Sequence, residues 1–437
     1  MRYRCGVLDA IPSMSRRFVL FYISLLSVAT LAAKAAEPLS LDAAVQQALA
    51  QNRELAASAL GAEAARGRVE QAGLRPNPAL EAGAQTDLLT GNNGARKFDL
   101  GVTQAIPLGN RLREAQAVAR VGIGAASATL DDRRRLLVGE VTKLFVELLA
   151  LDQEVALRDR LLKANSRFLE LAHSRVKVGE ASVIEVNAAA LEQAKLEQER
   201  AGLVAQRETR LQDLKPLLGI APEEEVAITG DLDALTSSLK ANADGDKSTW
   251  NRPDLRVAAL AIDQIGAEQR LAQVEAKGDL TVGATYGYDR QTVGDPDHLL
   301  GVKMSIPLPF RNKNQGRLRE LRAERTRAQR EVEALELRVA SEVASARNRV
   351  AQSQKILEGY RAAVLPLGEE SERMLMGAYQ QGQVPLFQVI QGQQQRLALE
   401  SGALAASTAY AMALAELQTA TGRNPRLVRS ATTADQP

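Results

Sequence analysis

The chain has 437 residues, only 3% of them aromatic, and its 55 Lys and Arg nearly balance 53 Asp and Glu. Near neutrality gives no electrostatic reason for a nucleic acid or other polyanion as partner. An apolar share dominated by Ala and Leu, with abundant Glu, Gln and Arg, favours long helices over an aromatic-rich globule.

In chain order, Arg16 and Arg17 precede an apolar stretch from Phe18 to Ala33, and Ala33-Lys34-Ala35 has the small-x-small pattern of a signal-peptidase site. Residues 1–35 read as a signal peptide of an envelope protein, with Met1 or Met14 as the start. The apolar stretch is shorter than the about 20 residues a spanning helix needs. Cys5 is the single cysteine and lies ahead of that stretch. The mature chain is therefore expected to carry no disulfide, no thiolate ligand and no lipidated first residue. Past the signal no apolar run reads as long enough to cross a bilayer as a helix, so any membrane segment must be a strand.

A helix is expected over about 41–73. Then Leu80, Ala82, Ala84, Thr86 and Leu88 alternate with Glu81, Gly83, Gln85 and Asp87, and Phe98, Leu100, Val102 and Ile106 alternate with Lys97, Asp99, Gly101 and Thr103. Period two gives a strand one apolar face and one polar or small face. The turn-rich stretch 90–94 joins the two as a hairpin over 79–107. Next, Leu137, Val141, Leu144, Leu148, Leu151 and Val155 step by four and three, a coiled-coil seam. That helix runs without proline from near Asn110 to near Lys177, and about 70 residues make a rod of roughly 100 Å. Gly179 ends it at a tip over 176–186, and a second helix returns from about Ile184 to Leu214. Residues 230–250, rich in Asp, Ser, Asn and Gly, read as a linker.

The same order then recurs. At an offset of 200 residues Leu100, Gly101, Val102, Ile106, Pro107 and Leu108 return as Leu300, Gly301, Val302, Ile306, Pro307 and Leu308. Asn52, Arg53 and Leu55 are echoed by Asn251, Arg252 and Leu255. Self-similarity at this length means one structural unit built twice, here 36–229 and 251–422. In the second unit a helix over about 254–277 leads to a hairpin over 279–309. Its apolar rows are Leu280, Val282, Ala284, Tyr286 and Tyr288, then Leu300, Val302, Met304 and Ile306. A helix from about Gln315 carries the seam Val332, Leu335, Val339, Val343, Ala346 and Val350, is expected to kink at Pro366, and reaches Tyr379. A tip over 379–390 turns at Gly382 and Pro385, and a helix returns to Ala420. Residues 423–437 read as a mobile tail. Four strands cannot close a membrane barrel, whose smallest examples have about eight, so a membrane reading requires several copies. Two small sheets in a soluble protein remain open on pattern alone.

Three local patterns resemble one known family, the TolC-like outer-membrane factors. They are the helix-to-strand junction Ala72-Gly73-Leu74-Arg75-Pro76-Asn77-Pro78; the strand exits Gln104 to Gly109 and Ile306 to Gly316; and the tips, where glycine is followed six positions later by a polar residue and valine (Gly179, Glu185, Val186; Gly382, Gln388, Val389). The run Pro307-Leu308-Pro309-Phe310 with Asn314-Gln315-Gly316 is most similar to the heavy-metal cation branch that serves resistance-nodulation-division pumps. The resemblance implies a mainly α chain with membrane β structure: four strands per subunit completing a 12-stranded barrel in a homotrimer, above a long periplasmic coiled-coil tunnel. It implies the exit duct of a tripartite efflux pump, passively conducting divalent heavy-metal cations from a periplasmic adaptor and inner-membrane pump across the outer membrane. The same fold also serves drug efflux or type I protein secretion, and a secreted structural coiled coil is the remote alternative.

For individual residues, the resemblance places Val178, Gly179, Glu180, Gly382 and Gln383 at the adaptor-contacting tips. It makes Tyr379, Gln388, Gln391 and Glu185 candidates for the tunnel constriction; Gln388 and Gln391 stand where some relatives carry aspartates. Leu80, Leu100, Val102, Val282, Tyr286, Tyr288, Leu300 and Val302 would face lipid, with the two tyrosines contributing to an interfacial girdle. No catalytic constellation and no Gly-rich phosphate-binding loop is recognisable, so no enzyme and no cofactor are expected. Two histidines, His173 and His298, are too few for a site built on borderline ligands.

Overall fold

The computed structural model describes residues 38–86, 96–179, 182–243, 252–290 and 297–422. The expectations for 1–35, Asp87, Leu88, 90–94, Glu180, the 244–250 part of the linker and 423–437 lie outside the described residues.

The first helix is divided in two, α1 (Leu41–Gln51) and α2 (Arg53–Gly73). Asn52 separates them with ψ at 122°, an extended value. Its backbone N–H closes α1 on Ala48 O, and its side-chain oxygen accepts from Leu55 N at 2.8 Å, the N-cap bond that opens α2. The strands β1 (Ala79–Thr86) and β2 (Arg96–Pro107) follow, then α3 (Arg111–Lys177), an unbroken helix of 67 residues, and α4 (Val183–Leu218). Helix α4 runs past its expected end and includes Pro216 in its last turn. It stops at Gly219, whose φ is +74° and where a Cβ would lie 2.3 Å from Gln51 O. Backbone meets backbone there, which only glycine permits.

The linker expected over 230–250 contains a helix, α5 (Leu232–Ala243). Its polar composition hides an apolar stripe, Leu232, Leu235 and Leu239, all buried, and Asp231 accepts from Ala234 N at 2.8 Å as cap. After α6 (Pro253–Glu275) come β3 (Asp279–Arg290), β4 (Asp297–Ser305) and α7 (Gln315–Gly359). A π-helical turn, Tyr360–Val364, separates α7 from α8 (Leu365–Gln380). It stands immediately before Pro366, whose ring would strike the carbonyl of residue 362 in a regular α-helix. The wider turn keeps the chain helical through the proline at which a kink is expected. Helix α9 (Leu386–Thr421) returns. Contrary to the expectation above, α9 is long and apolar enough to cross a membrane. Its apolarity belongs to the protein core, because Tyr410, Ala411, Leu414 and Leu417 are buried against other helices.

The strands form one antiparallel sheet in the order β1-β2-β3-β4, so the two hairpins join through β2 and β3. Among the helices α2 packs on α3, α3 on α6 and α6 on α7. The helical wall thus repeats the strand order. The main core lies near the middle of α3, where Val138, Val141, Phe145 and Leu148 meet Leu41 and Val45 of α1, Leu214 and Leu218 of α4, Leu232 and Leu239 of α5, and Leu414 of α9. A second, smaller core lies at the far end of the hairpins.

Ion pairs set the register of the first hairpin. Glu147 pairs with Arg210 at 3.0 Å, Asp152 with Arg207, Arg158 with Glu199 at 3.1 Å and Asp159 with Arg200. Each pair is symmetric about Gly179 to within one residue. Exposed pairs add little stability one by one, but a row of them fixes which residues face one another.

Candidate functional site

The sheet sorts its residues by parity, and the cross-strand register aligns the apolar rows of all four strands. Leu80 faces Val102, Ala82 faces Leu100 and Ala84 faces Phe98; Leu100 in turn faces Tyr286, and Val102 faces Ala284. Val282 faces Met304, Ala284 faces Val302, Tyr286 faces Leu300 and Tyr288 faces His298. One continuous apolar surface results. Leu300 and Val302 are 89% and 91% exposed, and Leu80, Leu100 and Tyr286 are also exposed. A patch of this extent on one chain marks a surface that something else covers. Val282 and Tyr288 sit half-buried within it.

Apart from Leu299, the opposite face is polar or small: Glu81, Gly83, Lys97, Asp99, Gly101, Thr103, Thr285, Gly301 and Lys303. Thr103 donates to Glu81 Oε1 at 3.1 Å. This division is what a wet-sided membrane sheet requires. Among the described residues both edges are free, with β1 paired only to β2 and β4 only to β3.

At the loop end of the apolar face His298 joins the tyrosines. Its ring stacks on Tyr286 with centroids 5.9 Å apart and lies 5.5 Å from Tyr288, and its Nδ1 is 2.5 Å from the Tyr286 hydroxyl. Its place opposite Tyr288 in the register is what brings it into the aromatic group.

At the far end of the rods the two tips share one small core. Phe168 and Ala172 of α3, Val186 and Ala189 of α4, Tyr379 of α8, and Leu386, Val389 and Ile390 of α9 pack together. Tyr379 is buried, and the Arg175 guanidinium lies 5.4 Å above its ring, a cation–π contact. Tyr379, a constriction candidate from sequence, therefore holds the hairpins together within one subunit. Phe168 and Arg175 were missed by sequence reading; the spacing Phe168, Ala172, Val176 along α3 carried the signal. Gln388 and Gln391 lie exposed on one face of α9, and Glu185 is half-buried in the first turn of α4.

Each tip ends its helix on a left-handed glycine. Gly179 has φ +78° and donates to Val176 O; Gly382 has φ +70° and donates to Tyr379 O, while Gln383 N donates to Ala378 O. The second tip is a Schellman closure, which satisfies carbonyls that the helix end would leave orphaned. Val178, Gly382 and Gln383 are exposed, and among the described residues nothing beyond the chain neighbours lies within 4 Å of where a Cβ on Gly179 or Gly382 would stand. Among the described residues no three His, Cys, Asp or Glu side chains converge on a metal-sized site.

Below the sheet, two buried arginines close α9. Arg252 donates to Ala420 O at 3.1 Å and Arg135 to Thr419 O at 2.7 Å, placing positive charge at the helix C-terminus where the dipole favours it. Arg252 also binds Asp254 at 2.7 Å and Glu342 at 2.6 Å. Burial pushes the Asp254 carboxyl up, but the Arg252 guanidinium outweighs it, with Arg135 assisting, and holds the group below the usual carboxylate range. Arg252 itself is depressed by burial and raised further by its hydrogen bonds to Asp254 and Glu342; the net shift is upward.

Comparison with known proteins gives concordant results. The model of the family described as outer membrane efflux protein matches residues 44–220 and again 246–423. The chain is 25% identical over 360 residues to the cobalt-zinc-cadmium resistance protein CzcC of Cupriavidus metallidurans, covering 82% of this chain and 84% of that one. Its fold is similar to that of CusC, with a TM-score of 0.69 at 17% identity over 88% of this chain and 92% of CusC. It is also similar to the MtrE outer membrane channel of Neisseria gonorrhoeae, with a TM-score of 0.67 at 20% identity over 87% and 88% of the two chains.

Proposed function

The chain belongs to the outer membrane efflux protein family, and from that premise we propose that it is the exit duct of a tripartite pump exporting divalent heavy-metal cations. The observation that carries this reading is the sheet: one face apolar and exposed, the other polar, both edges unpaired. Strands β1 and β4 run in opposite directions, so β4 of one copy can pair antiparallel with β1 of the next. Repeating that head-to-tail contact closes a ring. Three copies supply 12 strands, within the range of membrane barrels, and closure removes the edges.

The polar faces then line a wet passage continued by the helical wall. Conduction through it is passive and involves no catalytic step: cations leave down the path the pump fills, and weak selectivity suffices. The tips at Gly179 and Gly382, 72 and 77 residues along the chain from the ends of β2 and β4 (179 − 107 and 382 − 305), meet a periplasmic adaptor, and a resistance-nodulation-division pump supplies the energy. The similarity to a cobalt-zinc-cadmium resistance protein supports divalent cations as cargo.

The test is deletion of the gene followed by growth on graded zinc, cobalt, cadmium, nickel and copper salts, with a detergent-like drug as control. Sensitivity to one or more metals, reversed by the wild-type gene, is expected. Sensitivity confined to the drug would overturn the metal assignment, and absence of conductance by the purified protein in planar bilayers would overturn the channel itself.

A further inference from the structure

The apolar row of β4 continues beyond the strand. Leu300, Val302, Met304 and Ile306 are followed at the same spacing of two by Leu308 and Phe310, although pairing with β3 ends at Ser305. Leu308 is 66% exposed and Phe310 80%. In the first repeat the matching junction is shorter. Asn110 and Asn314, the left-handed residues that open α3 and α7, are 204 positions apart (314 − 110), against 200 for the preceding prolines (307 − 107). The second junction is thus longer by four residues.

The added length is held in place by its own bonds. Phe310 N donates to Leu308 O at 2.9 Å, Gln315 Nε2 to Arg311 O at 3.0 Å, and Asn314 Nδ2 to Ala272 O at 2.8 Å across to α6. A cleft of about 490 Å³ opens between this loop and the end of α6, lined among others by Gly278, Pro307, Leu308, Phe310 and Arg311. Arg311 and Lys313 on the loop and Lys277 on the α6 side are exposed. Glu275 is the acid in the cleft wall, and no ion pair engages Arg311, Lys313 or Lys277 among the described residues. Net positive charge therefore stands beside an exposed apolar pair that extends the lipid-facing row, at the end of the sheet where the helices begin. That combination fits the headgroup level of a leaflet, where apolar side chains reach acyl chains and cations meet phosphate.

We propose that Leu308 and Phe310 insert into the periplasmic leaflet and that Arg311 and Lys313 bind the phosphate of an anionic phospholipid there. The inference rests on the reading that the sheet lies in a membrane. The test uses two single-tryptophan proteins, Phe310→Trp and Val302→Trp, each in a Trp250→Phe background and reconstituted into vesicles with brominated phosphatidylglycerol or brominated phosphatidylcholine at equal fraction. Quenching of both tryptophans is expected. At position 310 quenching by the phosphatidylglycerol should be stronger by about fivefold or more, since each cation near an anionic surface contributes about 1 kcal/mol, and the preference should vanish in Arg311→Gln/Lys313→Gln. Quenching at 302 without quenching at 310, as when a second copy covers the loop, overturns this inference and leaves the channel reading standing. Equal quenching by both lipids at 310 overturns the phosphate assignment. Quenching at neither position overturns the membrane reading as well.

Discussion

Asn52 and Arg252, 200 residues apart, hold the same post in the two repeats. Each is the N-cap of the helix that leads to its hairpin, and each donates to a carbonyl at the end of its own repeat's return helix. Asn52 Nδ2 reaches Leu217 O at 3.1 Å and Arg252 reaches Ala420 O at 3.1 Å. The first is a compact amide; the second is a buried guanidinium that also gathers Asp254 and Glu342. One geometric need has been met by two chemistries.

Replacing Arg252 with alanine leaves two carboxylates and a helix-end carbonyl without their donor. Breaking such a buried group from one side costs about 3 kcal/mol, whereas Asn52→Ala loses a neutral cap and a neutral bond, about 1–2 kcal/mol. Denaturant unfolding of the detergent-solubilised protein should rank the two variants in that order. Equal effects would mean that the charge at Arg252 contributes nothing beyond capping.

Acid should act through the same cluster. The Asp254 pKa is depressed in the folded state, so its contribution is fully present above the unfolded value of about 3.9 and is lost as pH falls through the lower folded value. Stability of the wild type relative to Asp254→Asn is therefore expected to be constant from neutral pH down to about 4 and to shrink below it. A gap that stays constant to pH 2 would remove Asp254 from the acid response.

How much of this was legible beforehand follows from which residues carried period and which carried function by position. The strands were readable because every second residue had to be apolar, and α3 because its seam recurs over many turns. The residue echo that matched Asn52-Arg53 to Asn251-Arg252 was offset by one from the structural match, since the capping position is Asn52 in one repeat and Arg252 in the other. Helix α5 was hidden by polar residues around three buried leucines. The turn before Pro366 depends on how a helix accommodates a missing N–H, which composition does not encode. Tyr379 shows the same limit at the site: its spacing fits either a tunnel lining or a core, and its packing with Phe168 and under Arg175 appears only in the fold.

The two faces of the sheet should respond oppositely to charge. Val302→Lys places an ammonium on the exposed apolar face at the level of Ala284, where a membrane barrel loses about 2–4 kcal/mol near the midplane. Thr285→Lys places it on the polar face between Gly101 and Gly301, where water is available. The first is expected to reduce the membrane-inserted fraction sharply in vesicle reconstitution and the second to leave it near wild type. Equal loss from both would contradict the assignment of faces.

The tips give the sharpest separation between folding and assembly. A Cβ at Gly179 or Gly382 would meet no described residue beyond the chain neighbours within 4 Å, so the main cost of Gly179→Leu is the left-handed backbone, about 1–2 kcal/mol. That strain is local to a turn far from the core at Val141 and Phe145, so the subunit should fold and associate as before. The turn itself would shift, carrying exposed Val178 with it, and expressed as lost binding the same energy corresponds to roughly a tenfold weaker grip on the adaptor. Crosslinking between tip and adaptor should fall by that order while the oligomer on a native gel is unchanged, and Gly382→Leu should behave alike. If crosslinking persists undiminished in both variants, the adaptor does not read these turns.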